Sequence, residues 1–299
     1  MRIMVTGSNG LLGQCIARQA NGLAEVVGCD LHPTSLTEGI VYRRIDIASA
    51  SEVARLLREV RPKWVINTAA ITDVDRCERD RALAWRVNVL GVENLLRACE
   101  AVHAALIQLS TDYVFDGRNG PYSEADVPYP LGYYGRTKLE SEARVRSSAV
   151  EGLVVRTMVL YGYAPGVRPN FVTWLLNTLS SGERVRIVTD QWGNPTFADD
   201  LAILLFRCAS KGLNGTFHAA GGEFVSRYDM ALRVAGVFGY DPDLICPIST
   251  EELGQVAHRP LKSGLQTGKL EGALNIRMGG LDHGLHRLRS QMIGCGGTG

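Results

Sequence analysis

Tyr134 and Lys138 stand four residues apart in the stretch YYGRTKLE (133–140), the spacing that places two side chains on one helix face. Tyr133, rotated about 100° from its neighbour, cannot share that face. An unperturbed phenol has a pKa of about 10 and is a poor proton shuttle at neutral pH, but a nearby ammonium stabilises the phenolate and lowers that value. The pair is therefore expected to act as a general acid, protonating the alkoxide that develops when a ketone accepts a hydride. Lys138 could also reach nicotinamide ribose hydroxyls. Taken alone, Y-x-x-x-K is a weak pattern, and its plainer alternative is a surface aromatic beside a lysine.

Upstream, LSTDYVFDG (109–117) closes an apolar run with Ser110, Thr111 and Asp112. Ligands of a doubly wound sheet bind beyond the carboxyl ends of its strands, so these side chains are expected near a nicotinamide. Thr111 could hydrogen-bond a substrate carbonyl oxygen and hold it facing Tyr134. The alternative is a cap on the following turn. Asn88, a poor helix former inside RVNVLG, could bind a water or a backbone carbonyl near Lys138, or serve only as a packing polar group.

A place for the hydride carrier is written at the N-terminus. TGSNGLLG follows the first apolar run and opens a helix, with Gly7, Gly10 and Gly13 as G-x-x-G-x-x-G. Such glycines allow a tight turn, close approach of backbone to a pyrophosphate, and close helix–strand packing. The helix N-terminus offers free N–H groups to the phosphates. Asp30, at the end of the second run, could accept both adenosine ribose hydroxyls and would repel a 2′-phosphate, favouring NAD(H). His32 keeps NADPH open. Asp46 and Ile47 could hold the adenine edge, and the small residues of NTAA (67–70), Ala69 and Ala70 among them, would let a cofactor lie against backbone.

These residues need elements to position them. RIMVTG (2–7), EVVGCD (25–30), VYRRID (41–46), KWVIN (63–67), ALIQLS (105–110) and LVVRT (153–157) read as short, mostly buried strands. Helical patterns lie between them. Ser49–Val60 has Ser49 and Glu52 in capping-box spacing, and a second pattern runs from about Asp80 to Glu100. This order predicts an α/β fold: a doubly wound parallel-sheet Rossmann domain with a smaller, discontinuous C-terminal substrate domain. We assign residues 1–158 to the Rossmann domain, with 198–222 returning to it, and 159–197 plus 223–299 to the substrate region. IGCGGTG (293–299) reads as a flexible tail.

Composition excludes several classes. The 299 residues carry 32 Lys plus Arg against 31 Asp plus Glu, so no basic field suggests nucleic acid. No apolar run approaches the roughly 18 residues needed to span a membrane. The N-terminus goes straight into a strand pattern, which leaves no room for a signal peptide. Seven scattered cysteines without a C-x-x-C pair argue against a zinc site or a disulfide framework and for a reducing cytoplasm. His283 and His286 have metal-compatible spacing, but the plainer reading is a solvated amphipathic helix end, and no metal is expected.

The order G-x-x-G-x-x-G, Asp30, NTAA, STD and Y-x-x-x-K resembles the short-chain dehydrogenase/reductase superfamily, in its extended branch that acts on nucleotide sugars. STDYVFDG, YYGRTKLESE, NF (170–171), DQWGNPT (190–196) and RPLKSGLQTGKL (259–270) extend the match over nearly the full length, to the dTDP-4-dehydrorhamnose reductase family. That resemblance implies NAD(P)H-dependent reduction of a 4-keto group on a dTDP-6-deoxyhexose, with NADH or NADPH as cofactor. It implies Thr111, Tyr134 and Lys138 as the catalytic triad. It places Gly10, Leu11, Leu12, Asp30, Asp46, Ile47, Ala70, Ile71 and Thr72 at cofactor positions, and Thr111, Asp112, Val159, Asn170 and Arg259 at substrate positions. The sequence also departs from the family. Cys15 stands where some members have a metal-site Glu, and Val159 where an aromatic often contacts the sugar. Tyr113 after the Thr-Asp pair replaces the Glu that a dehydratase needs, and no Cys or His stands there for epimerisation. The same scaffold resembles a regulatory subunit of methionine adenosyltransferase, in which nucleotide binding would serve assembly; that reading stays open, as does a homodimer.

Overall fold

The computed structural model describes residues 1–20 and 22–296. Its first half alternates strand and helix: β1 (Arg2–Thr6), α1 (Leu11–Gln19), β2 (Glu25–Asp30), β3 (Val41–Arg44), α2 (Ala50–Val60), β4 (Trp64–Asn67), α3 (Val74–Arg79), α4 (Arg81–Trp85), α5 (Gly91–Val102), β5 (Ala105–Thr111), α6 (Tyr133–Ser147) and β6 (Gly152–Thr157). There follow β7 (Leu160–Tyr161), α7 (Phe171–Ser180), β8 (Val185–Val188), β9 (Trp192–Gly193), β10 (Thr196–Phe197), α8 (Ala198–Lys211) and β11 (Gly215–His218). The chain ends with β12 (Val225–Ser226), α9 (Arg227–Phe238), β13 (Ile245–Ile248), α10 (Thr250–Leu253), α11 (Gly268–Leu274) and α12 (Leu281–Gly296).

Seven strands form one parallel sheet in the order β11-β6-β5-β4-β1-β2-β3. The order reverses between β1 and β4, so a crevice opens beyond the carboxyl ends of the strands there. The continuously apolar runs are buried because helices cover both faces: Ile3, Val5, Ile66 and Ile107 pack toward α1 and α8, and Met4, Val65 and Leu106 toward α2 and α5. The fold is α/β with a Rossmann-like parallel sheet. A separate apolar cluster joins α7, α9 and α12, with Leu175, Leu176, Val234 and Leu285 among its members.

Local details differ from the sequence expectations for identifiable reasons. Ser49 sits at the N-cap of α2, but its hydroxyl makes no capping bond. Glu52 instead turns back to accept the Asp46 N–H at 3.0 Å, so the capping box does not close. The expected helix from Asp80 to Glu100 is interrupted by a π segment, Arg86–Leu90, centred on Asn88. The terminal stretch read as a tail continues α12 to Gly296; residues 297–299 lie outside the described residues. No described helix is long and apolar enough to cross a membrane.

Candidate active site

The glycine turn is dictated by contact. Gly7 has φ +66°, and a Cβ there would come within 2.7 Å of the Ala69 nitrogen. A Cβ on Gly13 would run into the Gly7 carbonyl oxygen, so the first turn of α1 can close onto β1 only without side chains. Gly10 caps α1 with no side-chain acceptor, which leaves the first N–H groups of this nine-residue helix free for an anion. Buried Gln14 fixes the turn from behind, donating to the carbonyls of Asn9 and Pro165, both at 2.9 Å.

Two cavities meet at this helix start, sharing Gly10, Leu11, Thr72 and Val74. The outer one, about 870 Å³, is edged by Asp30, His32 and Leu36 on one side and by Arg168, Asn170, Arg227 and Arg259 on the other. The inner one, about 480 Å³, is walled by Leu12, Ala70, Ser110, Thr111, Asp112, Tyr134, Lys138 and Val159. Their joint shape, the bare helix N-terminus and the acid at the end of β2 fit a dinucleotide. Asp30 accepts the backbone N–H of Asn9 at 3.2 Å and of His32 at 3.3 Å, which holds its carboxylate at the rim. The side chain of Asn9 bonds the Thr34 carbonyl and the Leu36 N–H, tying the 32–36 loop to the glycine turn.

Other expected cofactor residues are set back. Gly7 and Gly13 shape the turn without lining either cavity. Ile47 is buried against Gly91 in the core, and Asp46 binds the Ala48 N–H at 2.9 Å; neither lines the outer or the inner cavity. Ala69 abuts Gly7, and the backbone of Ile71 is clamped by Asn88, whose Oδ1 accepts the Ile71 N–H (2.8 Å) while Nδ2 donates to the Ile71 carbonyl (3.1 Å) and to Thr137 Oγ1 (3.0 Å). Asn88 thus does bind backbone, but at the loop before Thr72, and the π segment is what turns it there.

Thr111, Tyr134 and Lys138 converge on the inner cavity from β5 and α6. Tyr134 is buried edge-on against Tyr113, with ring centroids 5.6 Å apart. The expected lowering of its pKa is reversed: burial pushes the phenol well above its ordinary value, and a Thr111 hydrogen bond only partly opposes this. Desolvation disfavours the phenolate, so Tyr134 stands as a neutral phenol. Burial lowers Lys138 to about 8, against Glu142, which raises it; the side chain is still largely an ammonium at neutral pH. Tyr133 lines neither cavity and packs under the Arg81 guanidinium.

Asp112 is buried, and burial raises its carboxyl to about 6 despite hydrogen bonds from Ser263 (2.5 Å) and Thr111 (3.0 Å). Thr111 donates to Asp112 and accepts the Tyr113 N–H at 3.2 Å. Val159, on the wall, has φ +45°, a costly conformation for a β-branched residue. Asn170 caps α7 and also donates to the Gly162 carbonyl at 2.7 Å. Arg259 pairs with Asp75 at 3.0 Å.

Sequence reasoning passed over Arg227. Its guanidinium lies over the Phe171 ring at 5.1 Å, and burial lowers its pKa while Tyr113 and Asp112 oppose that shift. Together with Arg259 it borders a third cavity, about 710 Å³, with Trp174, Arg186, Gln191 and Gln255. No motif surrounds Arg227; only its place as the first residue of α9 was readable. Among the described residues no group of three or more His, Cys, Asp or Glu is placed to hold a metal.

The family model described as RmlD substrate binding domain matches residues 1–292. The chain belongs to this family. It is similar to a probable low-salt glycan biosynthesis reductase, Agl14, of Haloferax volcanii, at 34% identity over 97% of this chain and 98% of the relative. A dTDP-4-dehydrorhamnose reductase of Mycobacterium tuberculosis is 37% identical over 89% of this chain and 85% of its own length. The beta subunit of methionine adenosyltransferase 2 of Pongo abelii is 31% identical over 90% and 81%. Among solved structures, the dTDP-4-dehydrorhamnose reductase of Bacillus anthracis in complex with NADP superposes with a TM-score of 0.85 at 30% identity, over 97% of this chain and 99% of that one. The RmlD-family match thus spans both the parallel sheet and the segments that carry Arg227 and Arg259.

Proposed function

We propose that the protein reduces the 4-keto group of a nucleotide-activated 6-deoxyhexose with NADH or NADPH, as in the dTDP-4-dehydrorhamnose reductase reaction that gives dTDP-L-rhamnose. The observation that carries this reading is the convergence of Thr111, Tyr134 and Lys138 on a cavity that opens, at the bare N-terminus of α1, into one large enough for a dinucleotide. The dinucleotide would lie along Gly10, Leu11, Leu12, Ala70 and Thr72, with Asp30 at the adenosine ribose, and would supply the hydride.

The chain's own residues do the rest. Tyr134, a neutral phenol, delivers its proton from Oη to the C4 oxygen as negative charge grows there. Lys138 stabilises the phenolate left behind. Thr111, turning its proton from Asp112 to the C4 oxygen, would hold the carbonyl end of the sugar opposite Tyr134, with Asp112 and Val159 on the same cavity wall and Asn170 on the outer cavity. Arg227 and Arg259 stand at the junction of the outer and third cavities, where guanidinium forks suit a diphosphate, and the third cavity would take the base. Asp30 favours NAD(H), and His32 is the residue that would meet a 2′-phosphate.

The decisive experiment follows NADH and NADPH oxidation with a dTDP-4-keto-6-deoxy sugar, wild type against Tyr134→Phe. Wild type is expected to turn over, and the variant to lose about 10²–10⁴-fold in kcat while binding cofactor as before. Equal rates would remove Tyr134 as the donor. The likeness to the methionine adenosyltransferase subunit favours a second reading, in which the site binds NAD(P) without catalysis; tight cofactor binding with no turnover of any dTDP-4-keto sugar would select it.

A further inference from the structure

Glu142 lies one helical turn beyond Lys138 on α6 and is fully buried, at 0% exposure. Every acceptor position of its carboxylate is used. Oε1 accepts from Ser110 Oγ (2.6 Å) and Arg156 Nε (2.9 Å), and Oε2 from Arg156 Nη2 (2.7 Å) and Arg146 Nη1 (3.2 Å). Arg156, on β6, is buried as well; its guanidinium lies over the Phe115 ring, with Nη1 3.3 Å from His218 Nε2. Burial pulls His218 down to about 4, so at neutral pH Arg156 faces a neutral imidazole.

A buried ion pair is a poor stabiliser, because desolvation of both charges consumes most of its attraction. Its position suggests another use. Lys138 and Glu142 have the spacing that stacks side chains along one helix face, and Ser110 precedes Thr111 on β5. One carboxylate therefore touches the strand end carrying Thr111 and stands beneath the lysine that serves Tyr134. Lys138 also faces Cys77 from α3 and shares the inner cavity with Tyr134 and Asp112. Tyr134 is held neutral by burial, and Cys77 is pushed up to about 11 and stays a thiol. Asp112 is turned to Ser263 and Thr111.

We propose that Glu142 is a positioning residue for the reduction: its buried carboxylate, anchored by Arg156, keeps Lys138 an ammonium and, through Ser110, fixes the strand end that bears Thr111. The relevance to rate rests on the ketoreductase reading; the charge coupling does not. Burial lowers Lys138 while Glu142 is the main group raising it, so loss of the carboxylate would let the lysine deprotonate at working pH and leave the departing phenolate without a counter-charge.

The chain has five lysines, Lys63, Lys138, Lys211, Lys262 and Lys269, and Lys138 alone among them is buried. Titration of lysine labelled with carbon-13 at Cε, followed by NMR on the cofactor-free protein, therefore reads Lys138 without any turnover. Glu142→Gln is expected to lower its apparent pKa by about one unit, and Glu142→Asp, which keeps the charge but shortens the reach, to leave it near wild type. Glu142→Gln also strands Arg156 without a counter-charge. The double variant Glu142→Gln/Arg156→Met removes both charges, and its Lys138 is expected below wild type even if the single variant does not fold. The alkaline limb of kcat/KM should follow the NMR order. A Lys138 pKa unchanged in Glu142→Gln and in the double variant, or equal losses of rate in Asp and Gln variants with no shift, overturns the proposal in favour of a simple staple between α6 and the sheet. If wild type reduces no keto sugar, the ketoreductase reading falls, and the NMR order alone decides the coupling.

Discussion

Tyr134 and Tyr133 are adjacent in sequence, yet one lines the inner cavity and the other packs beneath Arg81. Tyr133→Phe is accordingly expected to leave kcat close to wild type under conditions where Tyr134→Phe abolishes most of it. Asp112 offers a separate test, in stability. Its folded carboxyl titrates at about 6, above its ordinary value of 3.8, so between those pH values the folded state binds more protons than the unfolded one. The contribution of Asp112 to stability therefore falls as pH rises through about 4 to 6, by on the order of 2–3 kcal/mol. Asp112→Asn removes the titrating group, and urea unfolding at pH 4, 5, 6 and 7 should show the stability of wild type relative to the variant falling across this window. The meeting of Thr111, Tyr134 and Lys138 at one cavity was readable because three residue types at fixed spacings sit in order with a glycine turn. The neutral state of Tyr134 was not, because it depends on burial, which spacing does not encode.

At the scale of elements, several of the six strands were legible as continuous apolar runs, since parallel strands covered on both faces have no polar side to show, whereas the exposed edge strand β3 carries Arg43 and Arg44. The π segment at Arg86–Leu90 was invisible for the opposite reason: one extra residue per turn leaves the apolar periodicity of its flanks almost unchanged. Its effect is to direct Asn88 at Ile71 instead of along the helix. Asn88→Ala leaves the Ile71 N–H without its 2.8 Å partner, a loss of about 1–3 kcal/mol. Because Thr72 borders both cavities, the same variant should weaken NAD(H) binding, measurable by fluorescence titration alongside thermal unfolding. Unchanged affinity together with lowered stability would confine Asn88 to the core.

Across the whole molecule, the outer and third cavities are built from segments far apart in the chain, and such assembly has no local signature. Arg227 belongs to this class. Arg227→Ala is expected to raise KM for the dTDP sugar by ten-fold or more while leaving kcat at saturation and NAD(H) affinity near wild type, the pattern of lost uniform binding. Steady-state kinetics with the dTDP sugar, beside cofactor titration, would separate the two effects.

The contact between Ser263 and Asp112 also bears on how the protein is made. Asp112, next to Thr111, finds its partner 151 positions later, and the last strand of the sheet, β11, is not reached until Gly215. A ribosome releasing this chain from its N-terminus therefore exposes the glycine turn, Thr111, Tyr134 and Lys138 long before the segment that closes over them emerges. The early portion holds an open sheet edge at β6 and an Asp112 lacking the Ser263 bond. The site can be completed only after residues near 263 have come out of the exit tunnel and the Ser263 hydroxyl can reach Asp112.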